Sequence, residues 1–404
     1  MNAATDVLIA GAGPAGCATA IACAKRGLEV LLLDRSRFPR DKACGEGLLP
    51  SGVGALAELG LLASVRRDAT RLGGVGFQLD ERNGATVEAA FSDADGLPCF
   101  GLGVRRLLFD AQLLDAARAY PTVTVLEEVD AHAPLRVHDR VVGLQTSVGA
   151  IRARAVVAAD GLRSKLRTAL GLAKTPLPHE RARVGLRVHV RVASLPFGTR
   201  VRVLIGRRLE HYVTPIGPHE VQVAILGTRA DFAAYKLSAP TLVEHLGRHR
   251  ILGPLLDGAQ LLDRPLGSGP FHQRVRGVVA EGALLVGDAA GYIDAITGEG
   301  IGAALRQGVA AGNTLALAIA SAPRRVPISA RMLAPYARAH AAITRDADRL
   351  TKLILFLARH HDLARRAVQS LAQRPALFER LLRVQAGAPM SSLPLMDWAR
   401  LVAG

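Results

Sequence analysis

The sequence predicts an α/β fold: a Rossmann-like parallel-sheet domain interleaved with an antiparallel sheet and followed by a C-terminal helical region. Three patterns predict it. The chain opens on an apolar run, a glycine-rich turn, a helical stretch and a second apolar run. Its middle shows β-branched alternation, and its end shows apolar residues at three- and four-residue spacing. The 404 residues are 50% apolar and 21% charged, which excludes a disordered chain and supplies core for roughly two to three packing units. No apolar run is long enough to span a bilayer. No basic leader precedes the first strand, so secretion is not expected.

The elements follow in order. Asp6-Val7-Leu8-Ile9-Ala10 reads as a strand and Gly11-Ala12-Gly13-Pro14-Ala15-Gly16 as a turn; the Ala-rich stretch to Gly27 reads as a helix, and Leu28 to Leu33 as a second strand closing on Asp34. Dinucleotide binding requires this order. Gly11 permits the tight turn, Gly13 lets backbone approach a pyrophosphate, Gly16 lets helix and strand pack closely, and the helix N-terminus faces the phosphates. Asp34, 23 residues after Gly11, is placed to accept from a ribose hydroxyl. Arg35 either reaches the adenosine side or is solvated. Val156 to Arg167 reads as a buried strand running into a loop and helix, with Asp160 at the ligand or capping that helix. Leu284 to Gly291 is another buried strand, ending in Gly287-Asp288; Asp294 to Gly302 and a long small-residue helix follow.

Residues 72–91 and 183–227 carry alternating runs that read as a largely antiparallel sheet, with a substrate cavity expected between the domains. His189, His211 and Tyr212 are candidate cavity residues; solvated strand positions are the alternative for the two histidines. From Pro335 onward the pattern is helical. The expected organisation is therefore a discontinuous nucleotide domain (1–70, 100–170 and 270–320), a sheet domain (71–99 and 171–269) and a helical region (321–404).

The formal charge of +16 comes from 51 Lys and Arg against 35 Asp and Glu. The arginines are scattered and aromatics are only 4%, too few stacking platforms for bases, so nucleic acid is not an expected partner. Residues 324–404 hold 14 basic against 5 acidic side chains, a net of +9. Their helices either cover the domain or make peripheral contact with an anionic membrane. Cys17, Cys23, Cys44 and Cys99 form no C-x-x-C pair and have no histidine cluster beside them. Neither a disulfide frame nor a metal site is expected, and a reducing cytoplasm fits best.

With the glycine fingerprint at 11–16, Asp160-Gly161 and Gly287-Asp288 in this order and spacing, the chain resembles the FAD-dependent monooxygenases of the aromatic-hydroxylase type and the related geranylgeranyl-reductase-like flavoproteins. The resemblance implies the FAD-binding, glutathione-reductase-type variant of the Rossmann-like domain. By it, Asp288 binds ribityl or ribose oxygens, and Arg106 contacts FAD. The Gly298–Gly302 segment, with Gly300 and Ile301, presents backbone N–H groups at a helix N-terminus to the flavin pyrimidine edge. A helix dipole there would stabilise anionic reduced flavin. Residues 38–52, too Gly-rich and Pro-bounded for a regular element, read as a loop, and within them Lys42-Ala43-Cys44-Gly45-Glu46-Gly47-Leu48-Leu49-Pro50 is similar to a segment of the geranylgeranyl-reductase-like branch. The likeness implies that Cys44, Gly45 and Glu46 lie beside the isoalloxazine. Cys44 and Glu46 are thereby the candidate catalytic residues. Glu46 is a proton donor, a ligand to flavin or substrate, or a tie for the loop.

Related halogenases carry two tryptophans in a W-x-W-x-I-P signature, whereas Trp398 is the only tryptophan here. Tyr212 to Gly217 keeps the Tyr, Pro and Gly of a prenyl-reductase stretch but not its Trp and Phe, and Ala295 stands where aromatic hydroxylases usually have Pro. The expected function is therefore an FAD-dependent monooxygenase of secondary metabolism acting on an apolar or aromatic small molecule. NADH or NADPH would reduce the flavin, oxygen would add at C4a, and the hydroperoxide would hydroxylate or epoxidise the substrate. An FAD-dependent reductase of carbon–carbon double bonds is the main alternative. A non-catalytic FAD-binding or partner-binding protein is the second.

Overall fold

A computed structural model describes residues 5–92, 96, 98–195, 197–323, 326 and 328–392; Trp398 lies outside them. The strand Thr5–Ala10 is wholly apolar from Val7 onward and sits at the centre of a parallel sheet. It pairs with Val30–Leu33 on one side and Gly149–Ala158 on the other; Val123–Leu126 and Ala283–Leu285 extend the sheet outward. Strands buried on both faces read as continuous apolar runs, which is why these three were visible in the sequence. Three neighbouring parallel strands thus deliver Asp34, the Gly11 turn and Asp160 to one edge of the sheet, with Gly287-Asp288 beside them. That carboxyl edge is where open α/β sheets bind ligands.

The first helix, Pro14–Ala24, lies against the 22-residue helix Gly300–Ser321. Their backbones nearly touch: a Cβ on Gly308 would stand 2.6 Å from the Ala15 carbonyl oxygen, and one on Gly312 would stand 2.5 Å from the Ala22 Cβ. The seam aligns both helix N-termini on the same edge of the sheet.

A second sheet runs in the order Gln260–Leu261, Arg183–Arg191, Glu220–Thr228, Glu210–Gly217, Arg200–Ile205, Gly74–Leu79, Thr86–Ala90. It is antiparallel except where Gly74–Leu79 pairs in parallel with Arg200–Ile205. No hairpin joins that pair. The chain between them passes through the nucleotide domain, so turn geometry does not set their direction.

Two expectations need correction. The 38–52 segment is not irregular throughout: Gly47–Leu48 pairs with Gly101–Gly103, and Pro50 opens the helix Pro50–Leu59, where its missing N–H has no intrahelical partner to lose. The C-terminal helix starts before Pro335. It spans Ala330–Arg359, with the Ser329 side chain accepting from the Met332 N–H and Pro335 inside it. The helices His361–Gln373 and Pro375–Gln385 pack Val368, Leu371, Leu377 and Phe378 on the same face of the second sheet that carries Val75, Val203 and Tyr212, and the Phe77 and Phe378 rings meet edge-on at 5.4 Å. Among the described residues, no helix is long and apolar enough to cross a membrane.

Candidate functional site

A crevice runs along the carboxyl edge of the parallel sheet. Gly11 has φ +108°, and a Cβ there would meet the Ala159 carbonyl oxygen at 2.3 Å, so only glycine makes this turn. Gly13 caps the first helix, and Ala15 and Gly16 lie buried in its first turn. Asp34 is 7% exposed; Oδ2 accepts from the Ala12 N–H and Oδ1 from the Ser36 N–H. These bonds fix the carboxylate on the crevice wall. Arg35 is exposed on the same wall, with Arg40, Lys42, Arg163 and Lys165 close by. Asp160 also lines it, and its carboxylate accepts from the Ser164 hydroxyl at 2.5 Å and the Leu166 N–H at 3.1 Å. The capping role and the crevice position therefore coexist at Asp160.

The crevice continues past Gly13, Lys42, Ala159 and Gly161 into a cavity between the two sheets. Leu49, Val75, Val203, Leu226 and Phe271 make its apolar wall. Asp288 lines it from a 3₁₀ turn, 3.8 Å from Lys42 Nζ. Gly298, Gly300 and Ile301 bring the N-terminus of the long helix to the same wall. Tyr212 reaches across from the second sheet and donates to the Ile296 carbonyl at 3.0 Å.

The segment from Lys42 to Gly47 forms the cavity's floor. Gln222 Nε2 donates to the Cys44 carbonyl at 2.6 Å. Glu46 has φ +57°, unusual for a residue with a side chain, and is fully buried. Its Oε1 accepts from the Arg106 N–H at 2.9 Å, and its Oε2 lies 2.6 Å from His189 Nε2. The Arg106 guanidinium makes a two-point pair with Asp110, each bond 2.6 Å, and also lies against the Cys44 thiol. Arg40 Nη1 donates to the same Asp110 oxygen, Oδ2, as Arg106 Nη2, at 2.5 Å. Burial raises the Asp110 carboxyl, but the two guanidiniums outweigh it and hold the group below the usual carboxylate range. Arg106 is therefore neither exposed nor free: it lines the cavity with its charge already neutralised.

His189 and His211 do not line the cavity, and neither is solvated. His189 faces the nucleotide domain but is sealed off by Glu46, with its Nδ1 2.7 Å from Asp263. His211 precedes Tyr212 on one strand, so its side chain takes the opposite face. There it packs with His245 and His249, ring centroids 5.7 and 4.4 Å away, beside Asp80. This histidine cluster, absent from the neighbourhood of the cysteines, draws its members from two distant segments. His249 Nδ1 accepts from the Ile251 and Leu252 N–H groups, and its Nε2 lies 2.9 Å from Asp80 Oδ2. The His249 ring beside it holds the Asp80 carboxyl below its usual range. The sequence reading also missed Asp263, Arg187 and Lys42. Lys42 and Arg187 stood inside segments already singled out, and Asp263 did not.

The crevice and cavity fit FAD. A Cβ at Gly45 or Gly298 would meet no protein atom within 4 Å, and one at Gly13 would meet only the end of the Arg40 side chain, at 3.7 Å. Glycine stands at three points where the cavity must remain open to a ligand. Two helix N-termini face that space, one at each end, suited to a pyrophosphate and to an electron-rich ring edge.

A family model described as "FAD binding domain" matches residues 4–326. Digeranylgeranylglycerophospholipid reductase 2 of Methanosphaera stadtmanae is 31% identical over 330 residues, 78% of either chain. The 6-methylpretetramide 4-monooxygenase of Streptomyces rimosus is 28% identical over 397 residues, 94% of this chain and 91% of that one. The structure of a flavin-dependent brominase superposes with a TM-score of 0.80 at 20% identity, covering 95% of this chain and 94% of its own, a likeness of fold. The glycine turn, the crevice and the family match agree: the chain belongs to the FAD binding domain family and is an FAD-dependent flavoprotein of oxidoreductase type.

Proposed function

We propose that the protein reduces carbon–carbon double bonds in an apolar, isoprenoid-type substrate, with NADH or NADPH as the source of electrons. The observation that carries this reading is Glu46, a fully buried acid in the cavity wall, close to the apolar stretch made by Leu49, Val203, Leu226 and Phe271. Reducing an alkene requires a proton at one carbon as well as a hydride at the other. FAD, when bound, supplies the hydride. The chain supplies the rest. Leu49, Val203, Leu226 and Phe271 exclude water and hold an apolar chain, Tyr212 ties the sheet to the 294–298 turn, and Glu46 holds a proton at the cavity wall. Asp34, Asp288 and the two helix N-termini hold the cofactor. The likeness to a reductase of digeranylgeranyl lipids supports the substrate class.

The test is anaerobic. Holoprotein reduced with NADPH or NADH is mixed with geranylgeraniol in detergent micelles, and both flavin absorbance and product mass are followed. Reoxidation of the flavin by the alkene, with a mass gain of two hydrogens per bond reduced, is the expected result. No reaction without oxygen, with a product gaining one oxygen atom in air, would refute it.

That opposite outcome belongs to a second reading, the monooxygenase. Its support is the match to the Streptomyces rimosus monooxygenase over 94% of the chain, together with the absence of Trp and Phe from Tyr212 to Gly217.

A further inference from the structure

Glu46 does not stand alone. Its Oε2 is 2.6 Å from His189 Nε2, and His189 Nδ1 is 2.7 Å from Asp263 Oδ2. The imidazole is 1% exposed and the Glu46 side chain 0%, whereas Asp263 is 20% exposed at the protein surface. The His189 N–H also donates to Asp263 Oδ1 at 3.1 Å. Arg187 braces the outer end, with separate bonds to Asp263 at 2.6 Å and Asp41 at 2.5 Å, and Arg105 lies 3.5 Å from His189 Nδ1.

We propose that Glu46 and His189 form an acid dyad that gives the cavity its proton, and that Asp263 is the positioning residue that orients it. The proposal rests on the reductase reading above and names the donor of the proton that reading requires. Two contacts, each between an imidazole nitrogen and a carboxylate oxygen, need two hydrogens to bridge them. Asp263 accepts the one on Nδ1. The other, between Nε2 and Glu46, is the proton available for transfer.

In the reaction the substrate π bond breaks and two C–H bonds form. Hydride from reduced FAD goes to one carbon, and the proton leaves the Glu46 carboxyl for the other. Glu46 remains as carboxylate beside a neutral imidazole that keeps its Nδ1 hydrogen on Asp263. Solvent returns a proton to the pair when the product leaves. The flavin ends two electrons more oxidised and the alkene two electrons more reduced.

The backbone of Glu46 supports an active role. A left-handed φ at a residue with a side chain costs about 1 kcal/mol or more and persists where surrounding contacts over-determine it. Here the Arg106 N–H, His189 and the Gln222 hold on Cys44 do so. A loop tie alone would not need a carboxylate buried at that conformation. A glycine at position 46 would make the same turn at lower cost.

The test uses the holoprotein with H189Q, D263N and E46Q. Infrared difference spectra between pH 5 and pH 9 should show a carboxyl band that E46Q removes and that both H189Q and D263N shift. In alkene reduction with geranylgeraniol, H189Q should lose about 100-fold or more and D263N about 10-fold, with an altered pH profile and wild-type FAD content. Exogenous imidazole should restore part of the H189Q rate. An E46Q-sensitive band unmoved by H189Q and D263N, or rates that fall only in proportion to lost FAD, would overturn the dyad. If the wild type reduces no double bond while the coupled band is present, the reductase reading fails and the dyad stands as an acid for another reaction.

Discussion

Glu299 immediately precedes the helix Gly300–Ser321, 9% exposed, with its Oε1 lacking any hydrogen-bond partner. Burial pushes its carboxyl from 4.5 up to about 8; Arg306 pulls the other way, and Asp348 adds to the rise. Because the folded value is the higher one, the stability is fully present below about pH 4.5 and is lost as pH rises through about 8. At 1.36 kcal/mol per unit, the difference amounts to about 1 kcal/mol by pH 5, about 3 by pH 7 and about 5 by pH 9. The substitution Glu299→Gln keeps the shape and removes the ionisation. Urea unfolding of holoprotein at fixed FAD concentration should therefore find E299Q and wild type nearly equal at pH 5 and the variant markedly more stable at pH 9. A stability difference that does not grow with pH would refute the reasoning.

Three further outcomes follow from the geometry. A Cβ at residue 16 would stand 1.8 Å from the Gly11 carbonyl oxygen, so Gly16→Ala should purify with less than about a tenth of the wild-type FAD, read from the flavin-to-protein absorbance ratio. Asp110→Asn strips the charge from between two buried guanidiniums and should cost about 3–5 kcal/mol in denaturant unfolding. His211 is held neutral down to about pH 3, first by burial and then by the charges of His249 and His245, with Asp80 acting in the opposite sense. Its folded value lies below the unfolded one, so its contribution is intact above about pH 6.5 and declines as pH falls toward 3, by up to about 5 kcal/mol. His211→Asn should flatten that acid limb in a series of thermal melts.

The nucleotide half of the site was legible because its chemistry is local. Gly11, Asp34, Asp160 and Asp288 each sit within a few residues of an apolar strand end, and continuous apolar strands announce themselves in one dimension. The substrate side was not. His189 lies 143 positions from Glu46 and 74 from Asp263, and the strand carrying it alternates polar and apolar whether the polar face meets water or a buried partner. His211 failed for the same reason: its partners His245 and His249 belong to a helix laid over the sheet, which periodicity along the strand cannot report. The parallel pairing of Gly74–Leu79 with Arg200–Ile205 was hidden because the intervening chain builds another domain. The helical pattern was read from Pro335 onward because its apolar spacing lies beyond that residue, yet Ser329 supplies the cap six residues earlier.

Gly308 and Gly312 bring two helices close enough that neither can slide past the other. One ends at the phosphate turn and the other at the far end of the cavity, so together they act as a caliper of fixed opening. A ligand is measured by whether it touches both jaws. A ligand that fills the space carries a phosphate at one end and an electron-rich ring edge at the other, set apart by the distance the seam fixes.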